Sequence, residues 1–286
     1  MTGRAAVLGH PIGHSKSPAL HRAAYAALGA DIGYEAIDVT VDALPGFLST
    51  VRADDTWRGL SVTMPLKAAM AAAVDEVRGV GEALGVVNTV AFEPRPAGLR
   101  LVGYNTDVAG IVNALRYAGA RDAPSAAVLG GGGTAAAAVA ALRGLGTTSA
   151  TVYVRDAGRA AEVRAAAAGV GIDLKFRSLA EAAHELPGFD VVVSTLPPRA
   201  ADGTGADLAA AGAVTPGVLL DAAYDPWPSR IAAAWTAGGG TVVPGLEMLL
   251  YQAIEQVRLF AAVDGPMPAE VIDVMCDAVG APRRVF

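Results

Sequence analysis

Short apolar runs alternate with alanine-rich segments along the whole chain, and this pattern limits the fold more than any other feature. The order is typical of βαβ units packed on a mostly parallel sheet, so the sequence predicts an α/β fold. The predicted strands are Ala5–Leu8, Tyr34–Val39, Gly59–Thr63, Ala126–Leu129, Thr151–Val154, Val191–Thr195, Val218–Asp221 and Thr241–Val243, with a hairpin of Asn88–Glu93 and Leu99–Tyr104. The predicted helices lie near residues 18–28, 66–74, 106–117, 134–144, 157–168 and 246–262.

The length of the chain favours two domains. Its 286 residues exceed the usual domain size of about 100–200 residues, and a fresh strand, glycine-rich turn and helix begin at Ala126. The last helices carry an apolar face at i, i+3, i+4 spacing that could pack back on the first domain. We therefore expect one α/β domain from residues 1–104 and 246–286, and a Rossmann domain from residues 105–245.

Composition excludes several classes of protein. Charges interrupt the apolar stretches before the roughly 18 residues that a membrane span needs. The net charge of −6 disfavours a nucleic-acid surface, and the single cysteine, Cys276, cannot form an internal disulfide. We expect a cytoplasmic protein without a membrane or nucleic-acid partner, either a monomer or a homodimer.

The run AAVLGGGGTAAAA predicts a dinucleotide site. Gly130, Gly132 and Ala135 follow a strand in G-x-G-x-x-G/A spacing and open a helix. The glycines permit a tight turn and close backbone approach, while the helix N-terminus presents N–H groups to a pyrophosphate. Gly131, Gly133 and Thr134 complete the predicted loop.

The end of the next strand bears on the choice of cofactor. An acidic residue at this position accepts the ribose 2′-OH of NAD, whereas arginine meets the 2′-phosphate of NADP. Arg155 and Asp156 offer both, and Arg159 would strengthen a phosphate clamp. Alternatively, Asp156 caps the following helix and Arg159 is its solvated neighbour. Thr195 and Leu196, after the strand VVVS, are further candidates to line the cofactor cleft.

Four segments of the first domain carry polar residues at strand or loop ends: HSKSP, SVTMPLK, GVVNT and GYNTDVAG. Each has an ordinary structural interpretation, with Ser17 as an N-cap, Thr63 as a strand end, Asn88 in a turn, and Thr106 or Asp107 as a helix cap. Together they supply hydroxyls, an amide, an ammonium and a carboxylate. That set suits a small polyhydroxylated acid.

The chain resembles the shikimate dehydrogenase family over essentially its whole length. The resemblance is carried by ordered motifs: GHPIGHSKSPALH, SVTMPLK, GVVNT, GYNTD, GGGGTAAAA, DAAYDPWPS and PGLEMLLYQA. It implies two α/β domains, an NADPH site in the second, and reversible reduction of 3-dehydroshikimate to shikimate. Three positions depart from the family pattern: Arg22 and Ser61, where asparagine is common, and Val154, where asparagine or alanine is common.

The resemblance also implies roles for individual residues. Ser15 and Ser17, with Tyr224, would bind the substrate carboxylate; Thr63, Asn88, Asp107 and Gln252 would hold the ring hydroxyls; Gly245 and Met248 would lie near the nicotinamide. Lys67 and Asp107 would form the catalytic pair, with Lys67 meeting the charge that grows on the carbonyl oxygen. The sequence leaves open whether Lys67 is the formal acid or an electrostatic group.

Competing hypotheses remain. Val154 and Asp156 keep NAD or dual cofactor use open, so a quinate/shikimate dehydrogenase is the near rival. A non-catalytic sensor of the metabolite or dinucleotide is the rival from another class. His10, His14 and His21 cluster in the opening loop without a metal-ligand pattern, so we expect no metal.

Overall fold

The computed structural model describes residues 2–96 and 98–283, with only the backbone at Arg159. The chain divides into two compact units. Unit 1 comprises Met1–Thr106 with Gln252–Phe286, and unit 2 comprises Asp107–Tyr251. Both are α/β, as the sequence predicts.

Unit 1 contains a sheet of six strands among the described residues. The strands are β1 (Gly3–Gly9), β2 (Ile32–Asp38), β3 (Trp57–Val62), β4 (Glu76–Val77), β5 (Thr89–Arg95) and β6 (Gly98–Tyr104). The helices are α1 (Ser17–Leu28), α2 (Leu44–Arg52), α3 (Lys67–Ala73), α4 (Val80–Leu84) and, near the C-terminus, α12 (Ala269–Val279). The intervening helices α5 to α11 begin in unit 2 and are given below.

The sheet of unit 1 is mixed, with the order β2-β1-β3-β5-β6-β4. Strand β1 pairs in parallel with β2 and β3, whereas β5 is antiparallel to β3 and β6. The run Ala5–Leu8 is buried throughout, as a parallel strand covered on both faces requires. The predicted hairpin over β5 and β6 is confirmed.

Unit 2 contains a second six-stranded sheet. Its strands are β7 (Ala126–Leu129), β8 (Ser149–Val154), β9 (Asp173–Ser178), β10 (Val191–Ser194), β11 (Val218–Asp221) and β12 (Thr241–Pro244). Its helices are α5 (Asp107–Tyr117), α6 (Gly133–Gly144), α7 (Ala161–Val170), α8 (Ala182–Glu185), α9 (Asp202–Ala210) and α10 (Arg230–Ala237); α11 (Gly245–Phe260) begins here and ends in unit 1.

All neighbouring strands of unit 2 are parallel, in the order β12-β11-β10-β7-β8-β9. The strand order reverses between β7 and β10, which makes this pair the topological switch point. In open α/β sheets, ligands bind outside the carboxyl ends of the strands at such a point. The core includes the fully buried Trp235, and the run Ala135–Leu142 of α6 is buried because alanine lets a helix lie close to its neighbours.

The end of α11 packs on the sheet of unit 1, as the sequence predicts for the C-terminal helices. A Cβ on Gly59 would lie 2.1 Å from the ring of Phe260, so the ring occupies the space that a side chain on β3 would fill. Phe260 is 3% exposed, and full burial of such a side chain contributes about 1.5–3 kcal/mol.

Some local expectations were wrong. The N-cap of α1 is Lys16, and Ser17 is the first helical residue, so Ser17 is not the cap. The predicted helix over 157–168 is a 3₁₀ turn, Ala157–Arg159, followed by α7. Helices α2 and α9 were missed because they contain Pro45, Gly203 and Gly205, which usually mark turns.

The proline in α2 and a glycine in α9 occur there for structural reasons. Pro45 stands in the first turn of α2, where its missing N–H costs no hydrogen bond. A Cβ on Gly205 would lie 2.6 Å from the backbone nitrogen of Ile231, so glycine allows α9 and α10 to cross closely.

Candidate active site

The loop after β1 is fastened to the end of β2. Asp38 accepts hydrogen bonds from the ring of His10 (2.6 Å) and the backbone N–H of Ile12 (3.3 Å). The bond from His10 lowers the pKa of Asp38. Ser17 N–H then donates to Ser15 Oγ at 3.3 Å. The two serines are thereby held together at the carboxyl end of the sheet.

Thr63 lies beside the start of this loop. Its backbone N–H donates to Leu8 O (2.8 Å), and a Cβ on Gly9 would lie 2.5 Å from Thr63 Cγ2. Lys67 is the first residue of α3, and its carbonyl oxygen accepts from Val87 N–H at 3.1 Å. The SVTMPLK segment therefore lies between the serine loop and the GVVNT segment.

Asn88 is buried, and both polar atoms of its side-chain amide form hydrogen bonds. Its Oδ1 accepts from Thr106 N–H (2.7 Å), and its Nδ2 donates to Thr106 Oγ1 (3.0 Å). Thr106 Oγ1 donates in turn to Gln252 Oε1 at 3.5 Å. Unit 1 thus brings together two amides and a hydroxyl from three segments, which can bind neutral hydroxyl groups without a net charge. Asp107, the next residue, is buried and begins α5.

In unit 2, the glycine loop follows β7 at the switch point. Gly130 has a φ of +119°, and a Cβ there would lie 2.3 Å from Thr195 Oγ1, so glycine is required on both counts. The Thr195 N–H and hydroxyl both donate to Leu129 O at 2.9 Å. This joins the ends of β7 and β10. Leu196, next to Thr195, is half-buried against the core of unit 2.

The glycine loop leads directly into α6, and the N-terminus of this helix is suited to bind an anion. Gly132 is the N-cap and Gly133 begins the helix, and the first N–H groups of an α-helix have no acceptor within the helix itself. A Cβ on Gly132 would meet no atom within 4 Å. The space over Gly132 and the positive end of the helix dipole fit a pyrophosphate group. Thr134 and Ala135 lie in the first turn of α6.

At the end of β8, the acidic residue forms a cap. Asp156 Oδ1 accepts from Gly158 N–H at 2.8 Å and so caps the 3₁₀ turn, which is the structural alternative that the sequence left open. Arg155 is exposed, and the side chain of Arg159 lies outside the described residues. A Cβ on Gly131 would lie 3.3 Å from Val154 Cγ1, which sets this strand end beside the glycine loop.

The loop after β11 carries Tyr224. Asp221, buried at the end of β11, accepts from Ser229 Oγ at 2.5 Å, and Ser229 also caps α10. Burial raises the pKa of Asp221, although these hydrogen bonds oppose the shift. Tyr224 is half-buried, and burial likewise raises its pKa. The hydrogen bond between Asp221 and Ser229 joins the two ends of this loop, so it restricts the position of Tyr224.

The start of α11 approaches the same loop. A Cβ on Gly245 would lie 2.2 Å from the carbonyl oxygen of Ala222, so only glycine allows this approach. Met248 follows one turn later and is 7% exposed. Gly245, Met248 and Tyr224 therefore belong to one corner of unit 2.

Comparison with known proteins assigns the chain to a family. Residues 7–90 match the shikimate dehydrogenase substrate-binding domain. A shikimate dehydrogenase (NADP(+)) from Rubrobacter xylanophilus is 36% identical over 268 residues, which is 92% of each chain. The chain belongs to the shikimate dehydrogenase family.

Solved structures of family members agree with this assignment. Shikimate dehydrogenase from Mycobacterium tuberculosis is 40% identical with a TM-score of 0.82, over 97% of this chain and 99% of that one. The Thermus thermophilus enzyme, solved in complex with NADP(H) and shikimate, is 32% identical with a TM-score of 0.78, over 96% and 99%. The resemblance inferred from the motifs is confirmed.

Sequence reasoning missed several polar residues that support the family's motifs. Tyr34, Ser61, Thr89 and Gln256 are buried and hydrogen-bonded to one another or to Asn88, but none of them was assigned a role from the sequence. The only signal was a polar residue in an otherwise apolar strand or helix face.

Two classes of site are absent from the described residues. In residues 2–96 and 98–283, no group of three His, Cys, Asp or Glu side chains is arranged to hold a metal ion. Over the same part of the chain, every helix is too short or too polar to cross a membrane.

Proposed function

We propose that this member of the shikimate dehydrogenase family catalyses the reversible NADPH-dependent reduction of 3-dehydroshikimate to shikimate. The observation that carries the proposal is the whole-length similarity to a relative named for NADP(+), together with a buried amide and hydroxyl cluster in unit 1 and a glycine loop at the switch point of unit 2. Unit 1 is then the substrate domain and unit 2 the cofactor domain.

The substrate is an acid with three ring hydroxyls or carbonyls, and the residues divide between its two ends. Ser15 and Ser17 donate hydroxyl hydrogen bonds to the carboxylate, with Tyr224 as a third donor. Thr63, Asn88, Asp107 and Gln252 hold the ring oxygens. Asn88, Asp107 and Gln252 are buried, and this favours a substrate that satisfies their hydrogen bonds, because an unmet buried partner costs about 1–3 kcal/mol.

The cofactor is NADP, and the residues of unit 2 fit it. The glycine loop, Gly130 to Gly133, with Thr134 and Ala135, would hold the pyrophosphate at the N-terminus of α6. Arg155 and Arg159 would meet the 2′-phosphate, and Asp156 caps the turn that follows Arg155. Gly245 and Met248 would lie near the nicotinamide, and Thr195 and Leu196 would line the cofactor cleft. When bound, the cofactor supplies the hydride.

Lys67 and Asp107 manage the charge that develops on the substrate. Reduction of the C3 carbonyl builds negative charge on its oxygen, and the Lys67 ammonium donates a proton to it or stabilises it. Asp107 orients the ammonium and a neighbouring hydroxyl. In the oxidative direction, Lys67 accepts the proton from the same oxygen.

Steady-state kinetics with two substrates and two cofactors tests the proposal. We expect the highest kcat/KM for shikimate with NADP⁺. Comparable or greater efficiency with quinate and NAD⁺ would reject it in favour of a quinate/shikimate dehydrogenase. A protein that binds shikimate in calorimetry but turns over neither substrate would be a sensor. The cytoplasmic location and the choice between monomer and homodimer stay predictions.

A further inference from the structure

A continuous series of hydrogen-bonded side chains crosses the interior of unit 1. We name it the buried polar chain, and its members are Tyr34, Ser61, Gln256, Thr89, Asn88, Thr106 and Gln252. Every member is less than a tenth exposed, so water does not replace these bonds. Only some of these residues belong to the proposed substrate site.

The donors in the first half of the chain point in one direction. Gln256 Nε2 faces the backbone oxygen of Asn88 at 3.3 Å, and this pure acceptor fixes the orientation of the amide. Gln256 Oε1 therefore accepts from Ser61 Oγ (2.7 Å), so Tyr34 Oη donates to Ser61 (2.6 Å). Gln256 Nε2 donates onward to Thr89 Oγ1 at 3.0 Å.

The second half continues in the same direction. The backbone N–H of Thr106 can only donate, and it fixes Asn88 Oδ1 as an acceptor. Thr89 Oγ1 then donates to Asn88 Oδ1 (2.9 Å), Asn88 Nδ2 to Thr106 Oγ1, and Thr106 Oγ1 to Gln252 Oε1. Thr106 Oγ1 also lies 3.0 Å from Thr89 Oγ1 and 3.3 Å from Asn88 Oδ1, so these three residues are joined by more than one hydrogen bond.

The tyrosine end is attached to the serine loop. The ring of Tyr34 stacks on His21 with centroids 4.0 Å apart, and His21 Nδ1 donates to Ser17 O at 2.9 Å. Tyr34 thus has a fixed position relative to the first turn of α1.

We infer that Tyr34 and Ser61 are positioning residues for substrate recognition, because they hold Gln256, and Gln256 holds the backbone oxygen of Asn88 and the Thr89 hydroxyl, from which the buried polar chain continues to the Asn88 and Gln252 amides. The inference rests on the proposed function, in which those two amides hold ring hydroxyls. Neither Tyr34 nor Ser61 needs to touch the substrate.

Ser61→Ala breaks the chain between Tyr34 and Gln256. It removes the acceptor for Tyr34 and the donor for Gln256 Oε1, so Gln256 can move and holds Asn88 and Thr89 less firmly. We expect KM for shikimate to rise about tenfold, with kcat within about threefold of wild type and KM for NADP⁺ unchanged. Tyr34→Phe should raise KM less, about threefold, because Ser61 still donates to Gln256.

Tyr25→Phe is the matched control. Tyr25 is also buried beside His21 and Tyr34, with centroids 5.9 and 6.4 Å away, but its hydroxyl has no hydrogen-bond partner among the described residues. Tyr25→Phe removes a tyrosine hydroxyl from the same aromatic cluster and leaves the buried polar chain intact, so KM for shikimate should not change. Thermal melting of each variant separates loss of fold from displacement of the buried polar chain.

The outcomes distinguish this inference from the proposed function. An ordered rise in KM, Ser61→Ala above Tyr34→Phe above Tyr25→Phe, supports it. A folded Ser61→Ala with wild-type KM, an equal rise in Tyr25→Phe, or a fall in kcat alone overturns it. If Ser61→Ala does not fold, Tyr34→Phe against Tyr25→Phe decides. A wild-type protein that does not oxidise shikimate would instead overturn the proposed function.

Discussion

The two units build their proposed sites from different parts of the chain. Unit 1 uses side chains: Asn88, Thr106 and Gln252 are buried amides and a hydroxyl bonded to one another. Unit 2 uses main chain, where Gly130 turns at a positive φ, Thr195 bonds Leu129 O, and the N-terminus of α6 is exposed by glycine. One site depends on functional groups that must be present, and the other on side chains that must be absent.

This difference has consequences for specificity and for tolerance. A main-chain site recognises the charge of a pyrophosphate, a group that many ligands share. Such a site requires small side chains, so that the ligand can approach the backbone. A side-chain site recognises the pattern of hydroxyls on one small acid, and each buried partner left unmet costs free energy. Substitutions in unit 1 should therefore change recognition of the small acid, whereas substitutions in unit 2 should change binding of the cofactor.

The largest expected effect comes from one side chain of unit 1. Lys67→Ala should lower kcat/KM for shikimate by about 10²-fold or more, as expected when a positioned proton donor is lost. NADPH affinity, measured by fluorescence titration, should be unchanged. Lys175→Ala, on the exposed face of β9, is the matched control and should retain full activity. A loss of NADPH binding in Lys67→Ala would contradict the division between the units.

The second effect is a pH dependence specific to unit 1. Burial lowers the pKa of His21 to about 4, against hydrogen bonds that raise it. Below pH 6.5 the unfolded chain binds a proton that the folded one does not, so stability falls as pH drops from 6.5 towards 4. We expect a loss of about 3 kcal/mol between pH 7 and pH 4 from this residue.

Urea unfolding of wild type and His21→Gln over that pH range measures the contribution of His21. The difference in the free energy of unfolding between the two proteins should change with pH in the window between 4 and 6.5, and level off above it. A constant difference across the window would show that His21 titrates normally in the folded protein.

The third effect distinguishes two glycines of unit 2. Gly130→Ala combines a φ of +119° with a contact of 2.3 Å, so it should lower the free energy of unfolding by about 2 kcal/mol. Gly132→Ala has open space and an extended backbone, so melting should not change while KM for NADP⁺ rises. Equal destabilisation by both changes would contradict the proposed role of Gly132.

The smallest effect concerns a single exposed side chain of unit 2. Arg155→Ala should raise KM for NADP⁺ about tenfold and leave KM for NAD⁺ unchanged, because only NADP carries the 2′-phosphate. Steady-state kinetics with both cofactors measures it. An equal rise for both would mean that Arg155 supports the turn capped by Asp156 and does not read the phosphate.

Prediction from sequence succeeded where the signal is local. The glycine loop, the strand before it and the helix after it are contiguous, so β7 and α6 were predicted almost to the residue. Ser17 shows the limit of such reasoning. Serine before Pro18 predicts an N-cap, yet the cap is Lys16, and Ser17 is the buried first residue of the helix.

The buried polar chain could not be predicted. Ser61 and Gln256 are 195 residues apart, and nothing near either residue indicates a polar partner. In the sequence, Ser61 is only a departure from the family pattern within an apolar strand. Its partners become visible when β2, β3, β5 and α11 pack together.

The sequence by itself determined the α/β architecture, the family and the residue types of both proposed sites, because periodicity, glycine spacing and contiguous motifs are local properties of a chain. The tertiary structure decided which polar groups face each other, that Asp156 caps a turn, and that the amide of Asn88 has one orientation. The physical reason is that a buried donor must meet an acceptor, and residues far apart in sequence meet only after the chain has folded.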